Sequence, residues 1–274
     1  MASTREIHVH QIAKTVVDRE AVKRWLDAIG AEGFEYPDPE VVADPAFLIA
    51  LAGKRCYLSF TESLNKNVTQ IRKDYVEYFD NILKSGHGSV LEHAVFSYAI
   101  ENVTRVFTGE MNRHRAGMAI SEGSMRFIRF DKDVPYWLPT SLRPAEGDDD
   151  ALAAKKEASR RIFQKAFEHQ QECYQELVKV WEMDETDKNF DYKKKVTSCL
   201  RRIIGMGCCT GGVWTGNVRA LRHVFNMRCA PAAEEEILLV ASTICADIAR
   251  EQPLLFGDFQ QDANGFWRPR FPKV

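Results

Sequence analysis

The chain has 274 residues, 45% of them hydrophobic and 28% charged, with a formal net charge of −2. That length gives ample core for one large domain or two small ones, and the composition is that of an ordinary globular protein. A charge so close to zero excludes a global field that would draw the chain to nucleic acid or to a membrane, so any anion binding must come from local clusters. No apolar run is long enough to span a bilayer, and the N-terminus shows no basic-then-apolar targeting signal. The seven cysteines are odd in number, irregularly spaced and free of a Cys-x-x-Cys pair. They point to reduced thiols in the cytoplasm and away from a disulfide framework or a zinc site.

In chain order, residues 7–12 alternate as a strand does, with His8 and His10 on one face. Two histidines at this spacing without a nearby third ligand read as surface side chains, and no metal is expected. Residues 31–46, with glycine, prolines and acids, read as a loop. Helical spacing covers 45–52 and then 68–83, and Ser85-Gly86 stops the second helix. The segment Gly86-His87-Gly88-Ser89-Val90-Leu91-Glu92-His93 follows, ahead of a strand at 94–100. Ser89 and Glu92 have capping-box spacing, which gives both a structural role. The flanking His87 and His93 suggest instead hydrogen bonding to a polar heterocycle.

Residues 113–126 concentrate Arg113, His114, Arg115, Glu122, Ser124 and Arg126, interrupted by Gly117 and Gly123. Arginine forks fit phosphate or carboxylate in a bidentate way, and glycines let backbone amides approach an anion. Flanked by apolar residues 103–107 and 127–130, the stretch reads as a loop between two strands. It is either a site for an anionic ligand or a solvated charged hairpin. Residues 131–150 read as a loop, and 151–183 as one long amphipathic helix. Ala154, Ala158, Ile162, Ala166, Cys173, Leu177 and Trp181 form its apolar stripe, facing the core or a partner helix. After a break at 184–188, residues 196–204 read as helix carrying Arg201 and Arg202, and 213–215 are β-prone. In residues 217–228, helical geometry turns Leu221, Val224 and Phe225 inward and sets Arg219, His223 and Asn226 on a neighbouring face that ends at Arg228. That face can grip a nucleotide or simply be solvated. Residues 234–251 form a last amphipathic helix, and 259–274 an irregular tail.

Three clusters together resemble the flavin-dependent thymidylate synthases. The carriers are His87-Gly-Ser89-Val-Leu-Glu92-His93, then Arg113-His114-Arg115 with Glu122, Ser124 and Arg126, then Asn217-Val-Arg219 with Asn226-Met-Arg228, and Arg201 ahead of them. The resemblance covers roughly residues 50–130 and 195–258. It implies a single α/β (α+β) domain over 1–274, with a mostly antiparallel central sheet flanked by helices, assembled as a homotetramer with shared active sites. It also implies residue roles. His87, Ser89, Glu92, Arg113, His114, Arg115, Asn217, Arg219 and His223 would line the FAD site. Glu110, Glu122, Gly123, Ser124, Arg126, Arg201 and Arg228 would hold the uridine nucleotide, with Arg228 at the pyrimidine ring as the catalytic residue. FAD, NADPH and 5,10-methylenetetrahydrofolate are the implied cofactors, with no nucleic-acid or membrane partner.

Several positions depart from the family pattern. The segment from Ala116 to Gly123 is one residue longer than usual, which should bulge the loop. Glu110 stands where glutamine is usual, Cys56 where a small hydroxyl residue often meets FAD, His223 in place of asparagine, and Ala232 where some members have histidine. Residues 205–212 are unlike the usual segment. This kept core with an altered nucleotide loop resembles the UMP/dUMP C5-methylase branch found in polyoxin-type nucleoside antibiotic pathways. The implied reaction is C5-methylation of UMP, dUMP or both. Strict conversion of dUMP to dTMP and a catalytically inactive nucleotide-binding homologue are the alternatives. No cysteine sits in a motif with a base beside it, and Ser124 has no triad-like histidine, so covalent nucleophilic catalysis has no strong candidate. Cys208, Cys209 and Cys229 read as buried structural thiols.

Overall fold

The computed structural model describes residues 2–273 apart from 62, 63, 69 and 186. Strand β1 (His8–Lys14) leads to helix α1 (Arg19–Ala28), started by Asp18, whose carboxylate accepts from the Ala21 amide at 2.9 Å. Helix α2 (Asp44–Tyr57) has a proline in its first turn, where no amide is missed. Helix α3 (Tyr75–Ser85) begins seven residues later than the periodicity from 68 suggests. Asp74 caps it, accepting from the Val76 and Glu77 amides at 2.7 and 3.1 Å, a contribution of about 1 kcal/mol. Just ahead, the Lys54 ammonium holds the Arg72 carbonyl at 3.1 Å in a non-helical segment, and residue 69 of the expected helix lies outside the described residues. Gly86 ends the helix at φ 72°, where a glycine costs least.

A single 3₁₀ turn (Gly88–Glu92) joins this helix to strand β2 (Val95–Thr104). No side chain caps the turn, so the structural role expected of Ser89 is not what it does here. Of the apolar residues 103–107, Val103 and Thr104 end the strand and 105–107 leave it. Thr104 caps helix α4 (Arg105–Met111). Strand β3 (Met118–Glu122) then runs inside the arginine-rich stretch, and 127–130 are not a strand but a turn hung on the Ser124 carbonyl. Helix α5 (Asp150–Val180) and helix α6 (Phe190–Leu200) follow the 131–150 loop. The sixth helix thus starts six residues before the expected 196 and gives way to a 3₁₀ turn at Arg201–Ile203. Strand β4 (Cys209–Asn217) extends the short β-prone segment in both directions. Helices α7 (Val218–Arg228), α8 (Glu235–Glu251) and α9 (Pro253–Phe256) come next. The expected irregular tail is a hairpin of strands β5 (Phe259–Gln261) and β6 (Trp267–Pro269).

The main sheet is wholly antiparallel, in the order β1-β2-β4-β3. Strand β3 pairs from Met118↔Gly216 to Glu122↔Gly212 without a register shift, so the longer loop does not bulge this strand. The turn that feeds it carries Gly117 at φ 72°. One core cluster joins the sheet residues Phe96, Ile100 and Trp214 to α7 and α8 through Leu221, Phe225, Val240 and Ile248, and to α2 and α3 through Phe47, Ile49, Phe79 and Ile82. A second joins α5 and α6 to residues 130–136, with Tyr136 stacked on Phe167 at 4.5 Å.

The long helix buries a different face from the expected stripe. Phe167, Gln171, Tyr174 and Val178 are inside, whereas Ile162 is 67% exposed and Trp181 47%. Both sets have helical spacing. The buried one carries the aromatic rings, and a buried ring contributes about 1.5–3 kcal/mol, far more than an alanine.

Candidate active site

Two cavities flank the 3₁₀ turn Gly88–Glu92. The larger, about 720 Å³, is lined by Glu92, by Arg113, His114, Arg115 and Gly117 from the segment after α4, and by Asn217, Arg219 and His223 from the start of α7. The smaller, about 470 Å³, is lined by His87 and Ser89 together with Cys56, Lys54 and Arg72. Every residue expected at the flavin thus lines a cavity, but His87 and Ser89 open onto a different one from the rest.

Local rules place these groups. Asn217 is the N-cap of α7, its side-chain oxygen accepting from the Ala220 amide at 2.8 Å. Gly117 packs on the Asn217 side-chain carboxamide: a Cβ there would stand 2.6 Å from Asn217 Nδ2, so only glycine fits both the space and the positive φ. One turn into α7, Arg219 donates to Glu92 at 2.6 Å across the cavity rim. Arg115 has no ion pair among the described residues. The cavity therefore holds more cations than carboxylates, the donor set an anionic dinucleotide requires, and the bare Gly117 backbone leaves room for close approach.

The expected nucleotide residues are less gathered. Arg228, at the end of α7 and only 15% exposed, donates through Nε to His114 Nε2 at 2.9 Å and pairs with Glu110 at 2.8 Å. Arg113 also reaches Glu110, at 3.3 Å. The His114 and His223 rings meet edge-on at 5.7 Å. Burial, then the Arg228 charge, pull His114 down to about 4, so at neutral pH it is an uncharged acceptor. The His114–Arg228 contact therefore joins the larger cavity, where the flavin is expected, to the expected pyrimidine site.

Glu122 has both oxygens engaged from within the chain, one by Arg105 and the other by Asn112 at 2.9 Å. Arg105 also donates to the Gly123 carbonyl at 2.5 Å, and Trp214 Nε1 donates to Asn112 at 3.3 Å. Arg105 and Asn112 belong to no motif, and nothing in the sequence marks them as partners of Glu122. Ser124 anchors the next turn, its hydroxyl accepting from the Arg126 amide at 3.4 Å. Arg126 is exposed, Arg201 half-buried, and neither forms an ion pair among the described residues or lines these cavities. Both are unspent cations at the surface.

Cys208 and Cys209 are buried, and burial pushes both thiols up, so neither is a thiolate at neutral pH. Cys229 is buried as well. Among the described residues no group of three or more His, Cys, Asp or Glu side chains is placed to hold a metal, and no helix is long and apolar enough to cross a membrane.

An antiparallel sheet wrapped by helices carries a cationic cavity next to a neutral histidine and a half-buried arginine, a donor set that fits a phosphorylated ligand. Residues 40–254 match the family described as thymidylate synthase complementing protein. The chain is 30% identical over 263 residues to the flavin-dependent thymidylate synthase of Mycobacterium tuberculosis, covering 95% of this chain and 92% of that one. Its fold is similar to that of the UMP/dUMP methylase PolB from Streptomyces cacaoi bound with 5-Br UMP, with a TM-score of 0.64 at 15% identity over 94% and 96% of the two chains. It is also similar to ThyX from Helicobacter pylori with FAD and dUMP, with a TM-score of 0.51 at 17% identity over 78% and 93%. The chain belongs to the flavin-dependent thymidylate synthase family. It is a flavin-dependent enzyme of that type.

Proposed function

We propose that the chain methylates C5 of a uridine monophosphate, UMP as well as dUMP, giving 5-methyl-UMP and dTMP. The observation that carries this reading is the contact between Arg228 and His114, which puts the arginine beside the flavin cavity and leaves it an uncharged neighbour. Bound FAD would supply the redox chemistry of the methyl transfer. Arg113, Arg115 and Arg219 would hold it by its phosphates, Asn217 and His223 would orient it, and His87, Ser89 and Glu92 would complete the wall. Arg228 would stabilise negative charge developing on the pyrimidine carbonyls, a contribution of about 3–4 kcal/mol for one preorganised donor. Glu110 would set the orientation of Arg228. Glu122, Gly123 and Ser124 would shape the sugar loop, and Arg126 and Arg201, without an ion pair among the described residues, suit the nucleotide phosphate.

The separation of His87 and Ser89 from the other flavin residues supports a homotetramer in which cavities of different copies face one another. The exposed apolar stripe of α5 supports the same assembly. The one-residue-longer segment before Ser124 and the presence of Glu110 favour the branch that accepts ribonucleotides, with a role in nucleoside antibiotic formation, over strict dTMP synthesis. Turnover of UMP and dUMP with methylenetetrahydrofolate, NADPH and FAD tests the reading. Both nucleotides are expected to give 5-methylated product. Product from dUMP alone identifies the strict synthase, and tight nucleotide binding without product identifies an inactive homologue.

A further inference from the structure

The large cavity has a wall that no motif announces: Pro272 and Lys273 line it beside Arg113, Arg115 and Arg219. They are brought there by a buried ion pair. Arg222, on α7 between the cavity residues Arg219 and His223, is 1% exposed. Its two terminal nitrogens donate to the two oxygens of Asp258 at 2.6 and 2.8 Å. The same nitrogens hold the Leu255 carbonyl at 2.6 Å and the Phe271 carbonyl at 3.2 Å, and the guanidinium lies over the Phe259 ring at 5.0 Å. Asp258 in turn accepts from the Phe271 amide at 3.2 Å through its carboxylate and from the Arg270 amide at 3.0 Å through its carbonyl. Residues 270 and 271 are thus fixed through their backbones by the ion pair that fastens the β5–β6 hairpin to α7. The next two residues line the cavity. One helix both lines the cavity and clamps the segment that supplies its Pro272 and Lys273 wall.

The charges are unequal. Glu92 is the carboxylate of the cavity wall and is taken by Arg219. Arg115 and Lys273 have no ion pair among the described residues. Two unspent cations lining one cavity suit a ligand with two adjacent negative charges. We propose that Lys273, together with Arg115, binds the diphosphate of the flavin dinucleotide in this cavity, and that the 259–273 segment is a built wall of the cofactor site. This rests on the flavin reading above.

The test is an equilibrium titration of full-length apoprotein with FAD, followed by flavin fluorescence, for wild type, Lys273→Arg and Lys273→Glu. The glutamate variant should bind about tenfold or more weakly, the loss of roughly one charge-assisted contact. The arginine variant should stay within about twofold of wild type, because the charge is kept. Raising the salt concentration should narrow the gap between wild type and Lys273→Glu. The melting temperature of the apoprotein should not change, since Lys273 is exposed. A second measurement, the KM for NADPH on FAD-saturated enzyme, assigns the diphosphate. A raised KM with unchanged FAD affinity places the nicotinamide dinucleotide there and overturns the assignment of Lys273 to the flavin. Unchanged values in both measurements overturn it. Wild type that takes up no FAD overturns the flavin reading and this inference with it, a result distinct from indifference of the variant alone.

Discussion

The Arg228 guanidinium stands between a carboxylate and an imidazole, and that setting decides what the residue can do. Glu110 at 2.8 Å orients it, and His114 at 2.9 Å accepts from it without adding charge. Arg228→Ala should leave FAD bound and lower turnover about 100-fold or more, as for loss of one preorganised donor. Single-turnover kinetics with the flavin spectrum as a loading control would show it, and near-normal turnover removes Arg228 from the chemistry. His114 sets a pH limit on the same contact. Its native pKa, about 4, lies below the ordinary 6.5, so the unfolded chain takes up the proton first as pH falls. Above pH 6.5 the group has no effect on stability. Between 6.5 and about 4 the native state loses ground, and the loss is complete below that. Wild type should therefore lose thermal stability across this window more steeply than His114→Gln. A His114 ring titrating near 6.5 by NMR contradicts the assignment.

At the level of elements, α7 has three duties: it lines the cavity with Arg219 and His223, ends at Arg228, and clamps the closing hairpin through Arg222. Removing one partner of a buried ion pair leaves an uncompensated charge and costs about 3–5 kcal/mol. Asp258→Ala should show that loss in denaturant unfolding, whereas the double replacement Arg222→Met with Asp258→Leu should recover most of it. Equal stability of Asp258→Ala and wild type would mean that the hairpin is only loosely docked.

This helix also marks how far the sequence could be read. Its apolar face and its polar residues are local, within a few turns, and periodicity exposes them, whereas the capping role of Asn217 appears only in the structure. The segment at 113–115 is local too. Arg222 as a clamp is not, because Asp258 and Phe271 lie in a segment of weak periodicity that becomes a hairpin only once docked. The partners of Glu122 are hidden for a similar reason, since Arg105 and Asn112 reach it only after α4 folds back beside β3. In α5 two apolar faces compete in one helix. Tyr136 and Phe130, brought in from the preceding loop, select the aromatic one.

For the whole molecule, the outward alanine and isoleucine stripe of α5 and the exposed Phe127–Phe190 stack, at 6.0 Å, are surfaces that a proposed assembly would cover. The two cavities flanking the turn after α3 give that assembly a genetic signature. If His87 of one copy works with Arg115 of another, a subunit damaged at either position still carries the intact other half. Two inactive preparations, His87→Ala and Arg115→Ala, should therefore regain part of the wild-type rate when dissociated and reassembled together, since some hybrid sites then receive both sound halves. Mixtures that stay dead would mean that each polypeptide builds its catalytic centre alone.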